Sequence, residues 1–189
     1  DRRPAAPFSA RRRRGAWVRR SSVAWIWVVA AALTVFVGGL LLPERHDITR
    51  RLVLSRTPEA VWFALTDSAE VRRWRADLID LQRFEDRSGR PTWREIRDDG
   101  IGVVVESAAW DPPARLLTLR TPEQPATATT WEFTIERVPE GVALTLSERG
   151  RIENPVRRFL VQFFAGARGN LDRQLGGLAT YFDEPPRID

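Results

Sequence analysis

Residues Val23–Leu42, VAWIWVVAAALTVFVGGLLL, contain no charged residue and no proline. At about 1.5 Å of rise per residue such a run spans roughly 30 Å as a helix, the thickness of a bilayer's hydrocarbon core. A helix also satisfies every backbone amide internally, as lipid requires. Trp25 and Trp27 stand near its start, where aromatic rings favour the membrane interface. The stretch is therefore predicted to be one transmembrane helix. The chain divides around it into an Arg-rich tail (1–22), the span (23–42), a linker (43–48), a folded domain (49–183) and a short tail (184–189).

Charge supports that division. The chain carries a net +5, but residues 1–22 hold eight arginines against Asp1, or +7, which leaves −2 for the remainder. A nearly neutral domain lacks the basic face that nucleic acid would need. Arg11–Arg14 flank the apolar run and satisfy the positive-inside rule, which puts the N-terminus in the cytoplasm and the domain outside it. Composition predicts a disordered tail. A secretory signal has a shorter apolar core and a small-residue cleavage site. This run ends in Leu40-Leu41-Leu42-Pro43, so an uncleaved anchor is expected. Methionine is absent, so Asp1 is not a natural start and further sequence is expected before it.

Beyond the anchor the pattern is that of a folded α+β domain. Ile48–Ser55 alternates as a strand. Thr57-Pro58 opens a short helix to about Leu65, and Asp67 with Glu70 opens a second, ending near Trp74. Six strand-like runs follow, each bounded by turn residues: Leu78–Glu85, Thr92–Arg97, Ile101–Trp110, Arg115–Arg120, Thr129–Arg137 and Val142–Arg151. Their short turns imply an antiparallel meander. Trp131, Phe133 and Ile135 fall on one strand face, and Val142, Leu144 and Leu146 repeat the pattern next door. A long helix from about Pro155 to Phe182 closes the chain. It carries an apolar stripe through Val156, Leu160, Phe163, Ala167, Leu171, Leu175, Leu178 and Phe182, which supplies the sheet's cover.

Chemistry-bearing residues are sparse. Cysteine is absent, and the single histidine, His46, falls in the predicted linker, leaving none for the domain. A multi-histidine metal site and Ser–His or Cys–His catalysis are excluded, and no cofactor motif is present. Glu95, Glu106, Glu132 and Glu148 all lie in strands. Turned inward into an apolar cavity, any of them would have a raised pKa and could serve as acid or base. Turned outward, they would pair with Arg94, Arg97 or Arg149, the expected arrangement. The face carrying Trp93, Glu95 and Arg97 is either a cavity wall or an exterior.

The order of elements resembles the START-like, or helix-grip, superfamily (SRPBCC). Arg51-Leu52-Val53-Leu54 followed by Thr57-Pro58-Glu59-Ala60-Val61-Trp62 is similar to its opening strand and helix start. Asp67 through Trp74 resembles its second helix, and Val142–Glu153 with a Pro-initiated helix resembles its ending. The resemblance covers about Asp47–Phe182, and the nearest group is the polyketide cyclase/dehydrase and lipid transport family. It implies a curved antiparallel sheet of about seven strands gripping the C-terminal helix, with an apolar cavity between them. Cavity-lining residues would be Trp62, Trp93, Trp131, Phe133 and Leu144, together with Phe159, Phe163, Ala167, Leu171 and Leu175 from the helix. The implied function is binding of a lipid or other hydrophobic small molecule at a bacterial cytoplasmic membrane. A cyclase/dehydratase and a ligand-free interaction module are the alternatives.

Overall fold

The computed structural model describes residues 16–87, 89–123, 128–165 and 167–189. The Arg11–Arg14 run and most of the Arg-rich tail lie outside them. Helix α1, Ala16–Leu41, contains all of the predicted span but its last residue, Leu42. Its stretch Ala24–Leu41 is long and apolar enough to cross a membrane and lies almost wholly exposed, a description that a secretion signal also meets.

The domain begins sooner than predicted. Strand β1 runs from Arg45 to Leu54, so only Leu42–Glu44 separate it from α1. Pairing with the last strand draws the chain into the sheet: Arg45 faces Arg151 and His46 faces Gly150. His46 is thus a strand residue of the domain, not a linker residue. Gly150 makes this possible, since a Cβ there would lie 2.5 Å from the imidazole ring.

Helices α2 (Pro58–Thr66) and α3 (Ser68–Trp74) start as their caps predict. The Thr57 hydroxyl accepts from Ala60 N–H, and Asp67 accepts from Ala69 and Glu70 N–H, satisfying donors left free in each first turn. The Trp74 indole N–H donates to Ala64 O at 2.9 Å and ties the two helices together.

Strands β2 (Leu78–Arg87), β3 (Arg90–Arg97), β4 (Gly102–Asp111), β5 (Arg115–Pro122), β6 (Thr129–Val138) and β7 (Gly141–Arg151) complete one antiparallel sheet. Its order is β1-β7-β6-β5-β4-β3-β2, a meander closed by β1 returning to β7. Gly141 sits in the β6–β7 turn at φ +133°, where a Cβ would also meet Leu54 O at 2.3 Å. Backbone bonds from Arg51 and Val53 to Asp189 and Arg187 lay the 184–189 tail along the outer edge of β1 and cover otherwise unpaired amides.

The predicted long helix is three pieces. Asn154 caps α4 (Pro155–Leu160), a π turn spans Val161–Ala165, and α5 covers Ala167–Tyr181. A π turn holds one residue more than an α turn and so rotates the stripe. Leu171, Leu175 and Leu178 of α5 are buried on the sheet with Trp131, Phe133, Ile135, Leu144 and Leu146. The α4 end instead leaves the sheet and packs against α1. Gly38 and Gly39 permit that approach: a Cβ on Gly39 would lie 1.8 Å from Pro155 O, and one on Gly38 would lie 2.9 Å from the Phe159 ring.

Candidate functional site

A pocket opens between α2–α3 and the concave face of β2–β6. Its walls are apolar, with Leu65 and Val71 on the helix side and Val105, Leu116, Trp93, Trp131 and Phe133 on the sheet side. Trp110 stands partly exposed and is packed edge-on against Trp62 at 5.1 Å. The pocket's volume is about 70 Å³. A single water needs about 10–15 Å³ by that measure, so the space equals about five waters, or one ring or short chain.

A buried chain of charges crosses one end of the pocket. Arg75, 3% exposed, donates from Nε and Nη2 to the Asp77 carboxylate at 2.8 and 2.9 Å. It also donates to both oxygens of Glu95, at 3.4 and 3.2 Å. Arg120 approaches Glu95 from the other side with both terminal nitrogens, one at 3.1 Å. The two guanidiniums also lie on the Trp131 ring, at 5.6 Å for Arg75 and 4.1 Å for Arg120. The Trp131 indole N–H in turn donates to Glu148 at 2.8 Å, and Glu148 meets His46 Nε2 at 3.2 Å. Beyond this layer, between α5 and the sheet, lies a polar cleft of about 200 Å³ that shares Arg75, Arg120 and Trp131 with the pocket.

These contacts set the protonation states. Burial alone would push Glu95 up, but the charges of Arg120 and Arg75 overcome it and hold the carboxyl below its ordinary value. Asp77 behaves alike: burial would raise it, but the hydrogen bond and charge of Arg75 outweigh that and hold it below its ordinary value. Burial would weaken the Arg75 cation, yet the charge of Glu95 and its bonds to Asp77 raise its pKa. Glu95 thus turns inward, against the outward arrangement expected, and is an ionised carboxylate, not the raised acid that an inward turn into an apolar cavity would give. Its partners are Arg75 and Arg120, not the Arg94, Arg97 or Arg149 named from sequence. Ser107 is also buried on the pocket wall, and among the described residues its hydroxyl has no hydrogen-bond partner.

The predicted cavity residues separate into three groups. Trp93, Trp131 and Phe133 line the pocket, and Trp62 supports Trp110 from outside the lining. Leu144, Leu171 and Leu175 are fully buried in the core between sheet and α5 and line neither the pocket nor the polar cleft. Phe159 packs against α1 and Phe163 is 63% exposed, because the π turn carries both away from the sheet. The side chain of Ala167 lies outside the described residues. Arg75, Ser107 and Arg120 escaped the sequence reading. The signal for Arg120 was its parity with Leu116 and Thr118 on β5, but Leu117 and Leu119 make an equally apolar set.

The fold has solved counterparts. A protein from Mesorhizobium loti, MLL2253, matches with a TM-score of 0.60 at 20% identity, over 73% of this chain and 97% of its own. A protein from Rhizobium leguminosarum matches with a TM-score of 0.57 at 17% identity, over 74% and 95%. BexL, a di-domain ARO/CYC of the BE-7585A biosynthetic pathway, matches with a TM-score of 0.58 at 17% identity, over 90% of this chain and 61% of its own. No curated protein matches the sequence. The profile of one family, polyketide cyclase/dehydrase and lipid transport, spans residues 45–183, from the first residue of β1 to just past α5. With that match over most of its length and the helix-grip sheet and C-terminal helix in place, the chain belongs to the polyketide cyclase/dehydrase and lipid transport family.

Proposed function

We propose that the domain binds a hydrophobic small molecule in the pocket between α2–α3 and the sheet, held at a membrane surface by α1. The single observation behind this is the pocket itself, an aromatic-walled space with a few converging polar groups, as ligand sites have. The unpartnered Ser107 hydroxyl marks where a polar atom of the ligand would be received. The open space admits a ring or short chain, so a larger lipid would enter only in part or with movement of α2–α3. Orientation follows the arginine asymmetry, with the N-terminal tail in the cytoplasm and the domain outside.

The likeness to BexL, an ARO/CYC, raises a cyclase reading. The state of Glu95 favours binding over it. A carboxylate clamped between two buried guanidiniums is a weak base, and with its pKa lowered it gives no proton near neutral pH. Its role in this reading is to keep Arg75 and Arg120 in place as the pocket's polar end.

The test uses the full chain in detergent micelles, with native mass spectrometry, solvent extraction of co-purifying material and titration with anilinonaphthalene sulfonate. Ser107→Trp should fill the pocket and reduce fluorophore uptake at least tenfold while the fold survives, since overpacking typically costs about 1–3 kcal/mol. Unchanged uptake by a folded Ser107→Trp variant would sink the site.

A further inference from the structure

A second cavity lies at the foot of α1, about 460 Å³, walled by Leu42–Ile48, Ile152, Arg158 and the π-turn residues Val161 and Gln162, with Arg168 completing it. Its charges do not balance. Glu44 and Asp47 line it, but each is held by an arginine outside the lining: Arg151 reaches Glu44 at 2.6 Å and Arg149 reaches Asp47 at 3.0 Å. Among the described residues, Arg45 and Arg168 have no carboxylate within 4.0 Å. Arg158 is 8% exposed and donates to Leu42 O at 2.8 Å and Glu153 O at 3.1 Å. Among the described residues its nearest carboxylate oxygen, on Glu44, is 3.7 Å away, and its buried Nε has no partner. His46 Nδ1, also on the lining, is buried and unpartnered too. Arg158 is thus a buried cation that shares its one carboxylate with the closer Arg151; such under-compensation is costly, and a bound anion relieves that cost.

The surroundings say what kind of anion. Val156, Leu160 and Phe163 are spaced along one face of the α4–π segment and are 38%, 45% and 63% exposed. That segment packs on the last turns of α1, whose own Leu40 and Leu41 are exposed, so the ridge extends the apolar surface of the span. An apolar ridge beside an arginine-lined hollow, directly after a bilayer-length helix, matches the depth at which acyl chains meet headgroups. The geometry points to a phosphate site here: the cavity seats the phosphate of a membrane lipid, with Arg45, Arg158 and Arg168 as its cationic wall and Val156, Leu160 and Phe163 beside the acyl chains. The inference rests on α1 as a membrane anchor and is independent of what the sheet pocket binds.

The experiment takes the full chain in detergent micelles with dioleoyl phosphatidylglycerol, dioleoylglycerol or inorganic phosphate, and counts retained molecules by native mass spectrometry. One phosphatidylglycerol per chain is expected, and dioleoylglycerol, which lacks the phosphate, should not be retained. Arg45→Gln with Arg168→Gln should weaken retention about tenfold, the scale of lost charge-assisted bonds. This pair is chosen because Arg158 also holds the Leu42 carbonyl. Inorganic phosphate that fails to compete supports a lipid source, whereas competition at equal concentration assigns the site to free phosphate. Equal retention of dioleoylglycerol, or an unaffected double variant, would overturn the site. Ser107→Trp must leave phosphatidylglycerol retention intact, since its loss would place the lipid in the sheet pocket instead. A chain that stays soluble and monodisperse without detergent would refute the anchor separately.

Discussion

Glu95 is the residue on which the pocket's polar end turns. It joins two arginines that are 3% and 7% exposed, and its removal leaves Arg120 with no carboxylate among the described residues and Arg75 with Asp77 alone. Breaking a buried pair from one side typically costs about 3–5 kcal/mol. Glu95→Gln keeps the shape, and its expected loss is about 3 kcal/mol, read from the midpoint of urea unfolding. The same residues set the response to acid. Glu95 and Asp77 have folded pKa values below their ordinary 4.5 and 3.8, so each contributes stability above those values and loses it as pH falls toward the folded ones. Unfolding should therefore become easier below about pH 4.5, with a shallower dependence in Glu95→Gln; equal slopes would show that this cluster does not govern acid stability. None of this was visible in sequence. Arg75, Glu95 and Arg120 are 20 and 25 residues apart along the chain, and only the sheet's curvature against α3 brings them together.

Among the elements, the C-terminal helix shows where local periodicity stops being sufficient. Its three- and four-residue spacing was correct for Leu171, Leu175 and Leu178, which are buried on the sheet. The same stripe read backwards through Phe163 and Leu160 implied burial under the sheet, yet both are exposed. One π turn redirects these residues toward α1 and solvent. The glycine pair Gly38-Gly39 is the other half of that junction, since it lets the two backbones touch. Gly39→Leu should pry α1 from α4, because its Cβ would fall within bonding distance of Pro155 O. The expected result is faster proteolysis between Leu42 and Glu44 with little change in the melting of the domain core. A connection that stays as resistant as in the parent chain would mean that the ion pairs of Arg151 and Arg158 with Glu44 hold the junction without the helix contact.

At the scale of the whole molecule, an exposed apolar helix is joined to a compact domain by three residues and by side-chain packing. An extended three-residue link reaches only about 10 Å, so a domain anchored by α1 would rest against the headgroups. Reconstituted into vesicles, the chain should resist extraction at alkaline pH, and the purified protein should retain Val23–Leu42. Release into the wash, or a mature N-terminus beyond Leu42, would identify the segment as a removed signal. Local physics in the sequence determined much of this molecule: the apolar span, both helix caps, seven strands with their alternating faces and the α+β order that marks the family. Those features depend on neighbours within a few residues. Tertiary structure alone decided the rest. Mixed strands such as Trp93–Arg97 and Leu116–Arg120 leave two admissible faces, and which one turns inward depends on partners far along the chain. So the apolar pocket lies under α2–α3, while α5 buries Leu171, Leu175 and Leu178 in the core and leaves only a polar cleft beside the buried arginines and their carboxylate.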